Sequence, residues 1–230
     1  MQDWNQNLIE TIRKQKEQEK SEDRDNLLRL TSHKLYGGRA HFALELIQNA
    51  EDEASNKVLF VINDGYVGII NDGRPFDEND VWGICSIRPG RKKNKIGFFG
   101  LGFKSVFNVT EKPQIISADY NFTIKNFIYP YPQNSIPDKL EPYFKKEKGA
   151  IFVLPIEKEK YNALKEDLSQ IDSKILLFLE NIKQLVFIDE INGDKWEIRK
   201  DINGETIRLF DTRTNEKSEW KVFHKNIKVV

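Results

Sequence analysis

The sequence has little of the chemistry that builds disulfide or metal sites. It contains one cysteine, Cys85, and three histidines. A single cysteine excludes an internal disulfide and a thiolate metal cluster. The histidines, His33, His41 and His224, do not show the spacing of zinc ligands. A structural zinc site is therefore not expected.

The chain also lacks long apolar runs and an excess of charge of either sign. Its longest apolar runs, 58–62 and 175–179, are far shorter than the roughly 20 residues that a membrane-spanning helix needs. The first ten residues have neither the basic flank nor the apolar core of a signal peptide. Lys and Arg together number 36, as do Asp and Glu, so no net charge favours nucleic acid. We expect a cytoplasmic protein without a membrane or nucleic-acid partner.

Apolar and aromatic residues are plentiful. Apolar residues make up 39% of the 230 residues and charged residues 31%, which is typical of a folded globular chain. This length suits one large domain or a domain with an appendage. We therefore predict a polar N-terminal helix or arm over residues 1–25, a main domain over 26–190 and a C-terminal β extension over 191–230.

Hydrophobic periodicity predicts helices that alternate with hairpins. It indicates a helix over 39–53, a hairpin turning at Asp64-Gly65, a short helix over 77–85 and a long helix over 158–181. Most of the remaining apolar segments read as strands. Because the regular βαβ rhythm is missing, the sequence predicts an α+β fold: a two-layer sandwich of a mixed β-sheet with helices on one face.

Helix 39–53 carries the first candidate site residues, Glu45 and Asn49. Four residues apart, they lie on one face of the helix, opposite its apolar face. An Asn oxygen suits the small share of Mg²⁺ coordination that a protein supplies beside substrate phosphates. A Glu one turn away can hold and deprotonate a water. The alternative reading is the solvated face of a surface helix.

Two glycine-containing segments supply the other candidates. In GFFGLGFKS, glycines precede Lys104 and Ser105, where the backbone could approach an anion closely at the start of a helix. The alternative is a tight turn against the sheet, and the segment does not match the Walker pattern. In NDG, Asp72 at a strand end could accept a hydrogen bond from the amine of adenine. The alternative there is an ordinary turn.

Three segments in this order resemble the sequence boxes of a known superfamily. HFALELIQNAEDE, NDGRPFDENDVWGI and KIGFFGLGFKSVFNVT resemble those of the GHKL superfamily, which includes DNA gyrase, heat-shock chaperones, histidine kinases and MutL. The nearest likeness is to the sacsin and NO VEIN-like branch, over roughly residues 30–190. The resemblance implies a Bergerat-type ATP-binding fold that takes ATP and Mg²⁺.

The resemblance also implies a role for each matching residue. Glu45 matches the catalytic base, Asn49 the Mg²⁺ ligand and Asp52 a residue that supports the pocket. Asp72, beside Gly73, matches the adenine reader, although Asn71 could occupy that column. The basic run 88–95 matches the lid. The phosphate-binding end of the lid matches Gly97, Phe99, Gly100, Leu101, Gly102, Phe103, Lys104 and Ser105.

The sequence departs from the family pattern at two places. Gly73 is followed by Arg74-Pro75-Phe76 where the family often has a further glycine. The strand that normally brings a Thr to the adenine reads Gly149-Ala150. These departures imply altered adenine contacts and weaker binding.

The resemblance therefore predicts slow Mg²⁺-dependent ATP hydrolysis that drives a lid or dimer switch, in the N-terminal module of a larger protein. Its expected partners are a second copy of the chain, further domains or proteins of unknown identity. The alternative is an ATP-sensing module that does not hydrolyse. A histidine kinase is disfavoured because His33 lies so close to Glu45 in sequence. A DNA-linked function has support only from the basic lid.

Overall fold

The computed structural model describes residues 4–18, 41–86 and 102–222. These ranges contain four α-helices. The predicted lid at 88–95 and His33 lie outside the described residues. The helices are α1 (Gln6–Gln18), α2 (His41–Asp52), α3 (Glu78–Ile84) and α4 (Tyr161–Ser169). Short 3-10 helices span Phe103–Asn108, Glu141–Tyr143, Lys158–Lys160 and Ser173–Phe178.

Ten strands form one mixed sheet in the order β10-β9-β8-β7-β1-β2-β6-β3-β4-β5. Strands β1 and β7 pair in parallel, and the other neighbours pair antiparallel. The strands are β1 (Lys57–Asn63), β2 (Tyr66–Asn71), β3 (Gln114–Ser117), β4 (Tyr120–Lys125), β5 (Tyr129–Pro132), β6 (Ala150–Pro155), β7 (Gln184–Asp189), β8 (Asp194–Asn203), β9 (Thr206–Asp211) and β10 (Glu216–Lys221).

The described helices bury their apolar side chains in one large cluster, the main core. Val67 and Ile69 of β2 belong to the main core, whereas Ile70 belongs to a second cluster. Because neighbouring strand residues point to opposite faces, the two clusters lie on opposite faces of the sheet. The second cluster is covered by Trp4 and by residues of the β5–β6 connection such as Leu140. The prediction of an α+β fold with a mixed sheet is confirmed.

The helix predicted over 39–53 is confirmed as α2, whose apolar face is fully buried. The predicted hairpin is confirmed as β1 and β2, with Gly65 at φ +81 in the turn. Such a positive φ is strained for most side chains and free of penalty for glycine. Local periodicity and turn chemistry were therefore sufficient to predict α2 and the β1–β2 hairpin.

The prediction of one long helix over 158–181 is wrong. Helix α4 ends at Ser169, and the carboxylate of Asp172 accepts a hydrogen bond from the backbone N–H of Lys174, which starts a separate 3-10 helix. The N-terminal segment predicted as a polar helix or arm contains α1, and Ile9 and Ile12 of this helix are buried in the main core. No helix in the described ranges is long and apolar enough to cross a membrane.

Candidate functional site

Helix α2 and the segment that starts at Gly102 meet at the Glu45 carboxylate. A Cβ atom built on Gly102 would collide with Glu45 Oε2. The Glu45 side chain is one-quarter exposed, and its Oε1 lies 3.6 Å from Nε2 of His41, one helical turn earlier. The fold therefore brings together two segments that the sequence assigns to one site. It leaves the Glu45 carboxylate partly accessible between them.

Asn49 lies one turn beyond Glu45 in α2 and is only 8% exposed. Its amide atoms are not among the buried side-chain atoms that lack a partner in the described ranges. Asp52 lies half-buried in the last turn of the same helix.

The residues after Gly102 form a buried 3-10 helix and not an α-helix. The hydroxyl of Ser105 is buried and lacks a partner in the part of the chain that the structure describes. Phe103 is buried in the main core. Gly97, Phe99, Gly100 and Leu101 lie outside the described residues. Of the predicted phosphate-binding segment, Ser105 thus offers a buried hydroxyl near the start of this helix.

Lys104 is fully buried, and its ammonium is already bound. It donates hydrogen bonds to the carbonyl of Ile84 at 2.5 Å and to that of Phe127 at 2.6 Å. Burial is the main cause that lowers the pKa of Lys104 to about 8; Cys85 opposes this shift and Lys16 adds to it. The role of Lys104 as a phosphate ligand stays a prediction, and it would require both hydrogen bonds to break.

The end of β2 carries Asn71 and Asp72, which have different surroundings. Asp72 Oδ1 accepts hydrogen bonds from the backbone N–H groups of Asn56 and Lys57, each at 2.8 Å. Its Oδ2 lies 3.3 Å from Nζ of Lys148. Asn71 Oδ1 makes only two long contacts, to the hydroxyl of Ser55 and to the N–H of the following glycine. Asp72 thus ties the start of β1 to the end of β2.

Two glycines allow the chain to close around this strand end. A Cβ on Gly73 would come within 2.5 Å of the carbonyl oxygen of Glu53, just after α2. Gly149 has φ +74, and a Cβ there would overlap the carbonyl oxygen of Asn71. The N–H of Gly149 donates to the carbonyl of Gly73 at 2.7 Å. Both positions therefore require the absence of a side chain.

Arg74 is a site-supporting residue whose role the sequence reasoning missed. Its Nε donates to Glu53 Oε2 at 2.7 Å, and its second guanidinium nitrogen lies 2.8 Å from Asp80 Oδ2 in α3. Burial alone would lower the pKa of Arg74, but these two hydrogen bonds outweigh it and raise the pKa above its ordinary value. Asp77 and Asp80 form a capping box at the start of α3. The D-x-x-D spacing of these two residues is the sequence signal that could have predicted the capping box.

Ser117 on β3 was missed as well. Its buried hydroxyl accepts a hydrogen bond from the N–H of Phe76 at 3.0 Å and donates one to the carbonyl of Gly149 at 2.5 Å. It joins the loop after β2 to the start of β6. It places a hydroxyl beside Gly149-Ala150, where the family pattern has a Thr, but its hydrogen-bonding capacity is used within the protein. No sequence signal identifies this residue.

Among the described residues, no group of three or more His, Cys, Asp and Glu side chains could hold a metal ion. A complete protein cage for a cation is thus not formed by these ranges. The residues present fit a different arrangement, in which one amide oxygen from Asn49 supplements the oxygens of a bound phosphate and water. Mg²⁺ commonly binds proteins in this way.

Comparison with known proteins finds sequence similarity to sacsin and to NO VEIN. The model of the sacsin domain matches residues 65–152, which include the end of β2 but begin after Glu45 and Asn49. Protein NO VEIN of Arabidopsis thaliana is 24% identical over 208 residues, covering 78% of this chain and 8% of that protein. Sacsin of Homo sapiens is 29% identical over 104 residues, covering 36% of this chain and 2% of that protein.

These similarities support the sacsin-like part of the resemblance seen in the sequence. The chain spans less than a tenth of the length of either relative. The similarity therefore concerns one segment of very large proteins.

Proposed function

We propose that this chain is an ATP-binding domain of the GHKL superfamily with a Bergerat-type fold, and that it hydrolyses ATP slowly with Mg²⁺. The single observation that carries this proposal is that Gly102 packs against the carboxylate of Glu45, with Asn49, only 8% exposed, one turn further along the same helix. The similarity to sacsin and NO VEIN supports it.

The chemistry assigned to the site follows from the side chains. Mg²⁺, when bound, would offset the charge of the nucleotide phosphates. Asn49 would supply one oxygen to hold the metal. Glu45 is one-quarter exposed and could orient a water and accept its proton as the water attacks the terminal phosphate. His41 Nε2, at 3.6 Å, could restrict the position of the Glu45 carboxylate.

The Gly102–Ser105 segment would complete the wall of the site. Its glycine permits close contact with Glu45, and the Ser105 hydroxyl lacks a partner among the described residues. Closure of a lid over the phosphates, coupled to a second copy of the chain or to a protein partner, would turn nucleotide binding into a conformational switch. A cytoplasmic location belongs to the same proposal.

The experiment compares nucleotide binding and phosphate release in the wild type, Glu45→Gln and Asn49→Ala. Calorimetric titration with ATP, with and without Mg²⁺, measures binding, and a coupled phosphate assay measures turnover. We expect Glu45→Gln to bind ATP normally and to lose turnover at least ~100-fold. We expect Asn49→Ala to lose the Mg²⁺ dependence of binding.

Gln48→Ala on the same helix is the matched control and should behave as the wild type. Binding of ATP without turnover by the wild type would favour the alternative of an ATP-sensing module. Equal turnover by Glu45→Gln would reject Glu45 as the base. Absence of ATP binding by the wild type at millimolar concentration would reject the proposal.

A further inference from the structure

The two polar residues at the end of β2 face opposite sides of the sheet. Val67 and Ile69 point into the main core on the helix side, and Ile70 points to the opposite side. Strand alternation places the Asn71 side chain on the helix side, the side of Glu45 and Asn49. The contact of Asn71 Oδ1 with Ser55 agrees with this, since Ser55 lies three residues after Asp52, the last residue of α2.

The Asp72 carboxylate is already engaged in holding the fold together. One of its oxygens accepts two backbone hydrogen bonds at the start of β1, and the other faces the ammonium of Lys148. A ligand amine could take Oδ1 only by detaching the start of β1 from the end of β2, and Oδ2 only by displacing the ammonium of Lys148. Asp72 is therefore a structural residue of the hairpin.

Asn71 is half-buried and retains unused hydrogen-bonding capacity. Its Oδ1 lies 3.4 Å from the Ser55 hydroxyl and 3.3 Å from the N–H of Gly73, both long for hydrogen bonds. Its Nδ2 finds no acceptor among the described residues. The Nδ2 group of Asn71 can therefore donate a hydrogen bond to a ligand without breaking an existing one. Its Oδ1 can accept a hydrogen bond from a ligand if the two long contacts are given up.

Asn71 also lies at a suitable distance from Glu45, beside which the terminal phosphate of the nucleotide is proposed to bind. From Glu45 to the last residue of α2, Asp52, the helix rises roughly 10 Å at 1.5 Å per residue. Asn71 lies beside the residues that follow this helix end. The terminal phosphate and the base of an extended nucleotide are separated by a distance of this order.

We propose that Asn71, and not Asp72, reads the nucleobase, and that the site accepts 6-keto as well as 6-amino purine nucleotides. This inference rests on the proposed function. A carboxylate only accepts hydrogen bonds, so it pairs with the 6-amino group of adenine and repels the 6-keto oxygen of guanine. A carboxamide both donates and accepts, so Asn71 can pair with either base after a rotation of its amide. ATP and GTP should then bind with comparable affinity.

The test exchanges carboxamide and carboxylate at the two neighbouring positions. Calorimetric titration with ATP and with GTP, both with Mg²⁺, is carried out on the wild type, Asn71→Asp and Asp72→Asn. In the wild type we expect the two dissociation constants to lie within about fivefold of each other. Asn71→Asp should favour ATP by ~30-fold or more, since a site that presents a mismatched polar group rejects its ligand strongly. Asp72→Asn should leave the ratio unchanged.

Thermal melting of each variant reports folding, and the affinity ratio reports the role of the side chain separately. Strong preference of the wild type for ATP, abolished in Asp72→Asn, would overturn the inference while the proposed function stands. So would a ratio that Asn71→Asp does not change. Failure of the folded wild type to bind either nucleotide at millimolar concentration would reject the proposed function, and this inference with it.

Discussion

The Cα atom of Gly102 lies so close to the Glu45 carboxylate that a methyl group at position 102 would occupy the place of Glu45 Oε2. The backbone of Gly102 has φ −60 and ψ −47, values that any residue adopts in a helix. The glycine is therefore required by the contact and not by the backbone conformation. The absence of a side chain at Gly102 leaves room for the Glu45 carboxylate in its observed position.

Gly102→Ala should impair turnover much more than stability. The colliding atom is the end of a flexible side chain, so the carboxylate can move aside at a cost below about 1 kcal/mol. A displaced base is poorly aligned with its water, and we expect phosphate release to fall at least ~10-fold. Urea unfolding and the phosphate assay measure the two effects.

Gly83→Ala provides the control for this change, because a Cβ at Gly83 in α3 meets open space. It should leave turnover unchanged and keep or slightly raise stability, as glycine is unfavourable within a helix. Wild-type turnover in Gly102→Ala would show that the contact does not position Glu45.

Ile12→Ala should destabilise the whole domain although it lies in a mostly polar helix. Ile12 is fully buried in the main core, and α1 packs against β4 and β5. Loss of a buried Ile side chain typically costs about 2–4 kcal/mol. Lys14→Ala, exposed on the same helix, should change stability by less than about 0.5 kcal/mol. Equal unfolding midpoints of these two variants in urea would mean that α1 is not part of the cooperative core.

Local sequence signals were sufficient for the elements that build the site. The spacing of Leu46, Ile47 and Ala50 identifies α2, and Asp64-Gly65 identifies the hairpin turn. The failure over 158–181 has a tertiary cause. Lys200 from β8 donates hydrogen bonds to the carbonyls of Leu176 and Leu179. These bonds give partners to two carbonyl groups in a segment that does not continue as an α-helix. A contact with a distant strand has no signature in the local pattern.

The candidate site shows the same division between local and long-range information. The sequence proposed Glu45, Asn49 and the glycine segment as candidates, but only the fold shows that Gly102 packs against Glu45. Motif spacing could not decide between Asn71 and Asp72. Their contrasting hydrogen bonds depend on where β1 begins and on where α2 ends, which are properties of the folded chain.

Arg74→Met should destabilise the link between α2 and α3. The guanidinium bridges Glu53 and Asp80, and both carboxylates are almost fully buried. Removing one partner of a buried ion pair leaves uncompensated charge, which costs up to about 3–5 kcal/mol. Since the Arg74 side chain is itself 39% exposed, we expect about 2 kcal/mol by urea unfolding.

Lys160→Ala is the matched control for Arg74→Met, because it removes an exposed ion pair with Glu157. Its effect should stay below about 1 kcal/mol. If both variants lose the same stability, the Arg74 bridge contributes no more than a surface pair.

Lys104→Met should remove a characteristic rise of stability at alkaline pH. The pKa of Lys104 is lowered by burial from its ordinary 10.5 to about 8. Between these values the unfolded chain binds more protons than the folded chain at this position, so the free energy of unfolding of the wild type rises with pH. Below about pH 8 both states carry the proton, and the cost of burying the charge is constant.

The neighbouring titratable groups do not imitate this effect. Burial raises the pKa of Cys85 to about 12, so its thiol stays neutral throughout the window. Urea unfolding of both proteins from pH 7 to 10 isolates the contribution of Lys104, because other groups cancel in the difference between wild type and variant. The stability of the wild type relative to Lys104→Met should increase between pH 8 and 10, whereas Lys14→Met should show no such trend. A constant difference across this range would mean that the Lys104 ammonium, bound to the carbonyls of Ile84 and Phe127, keeps an ordinary pKa in the folded protein.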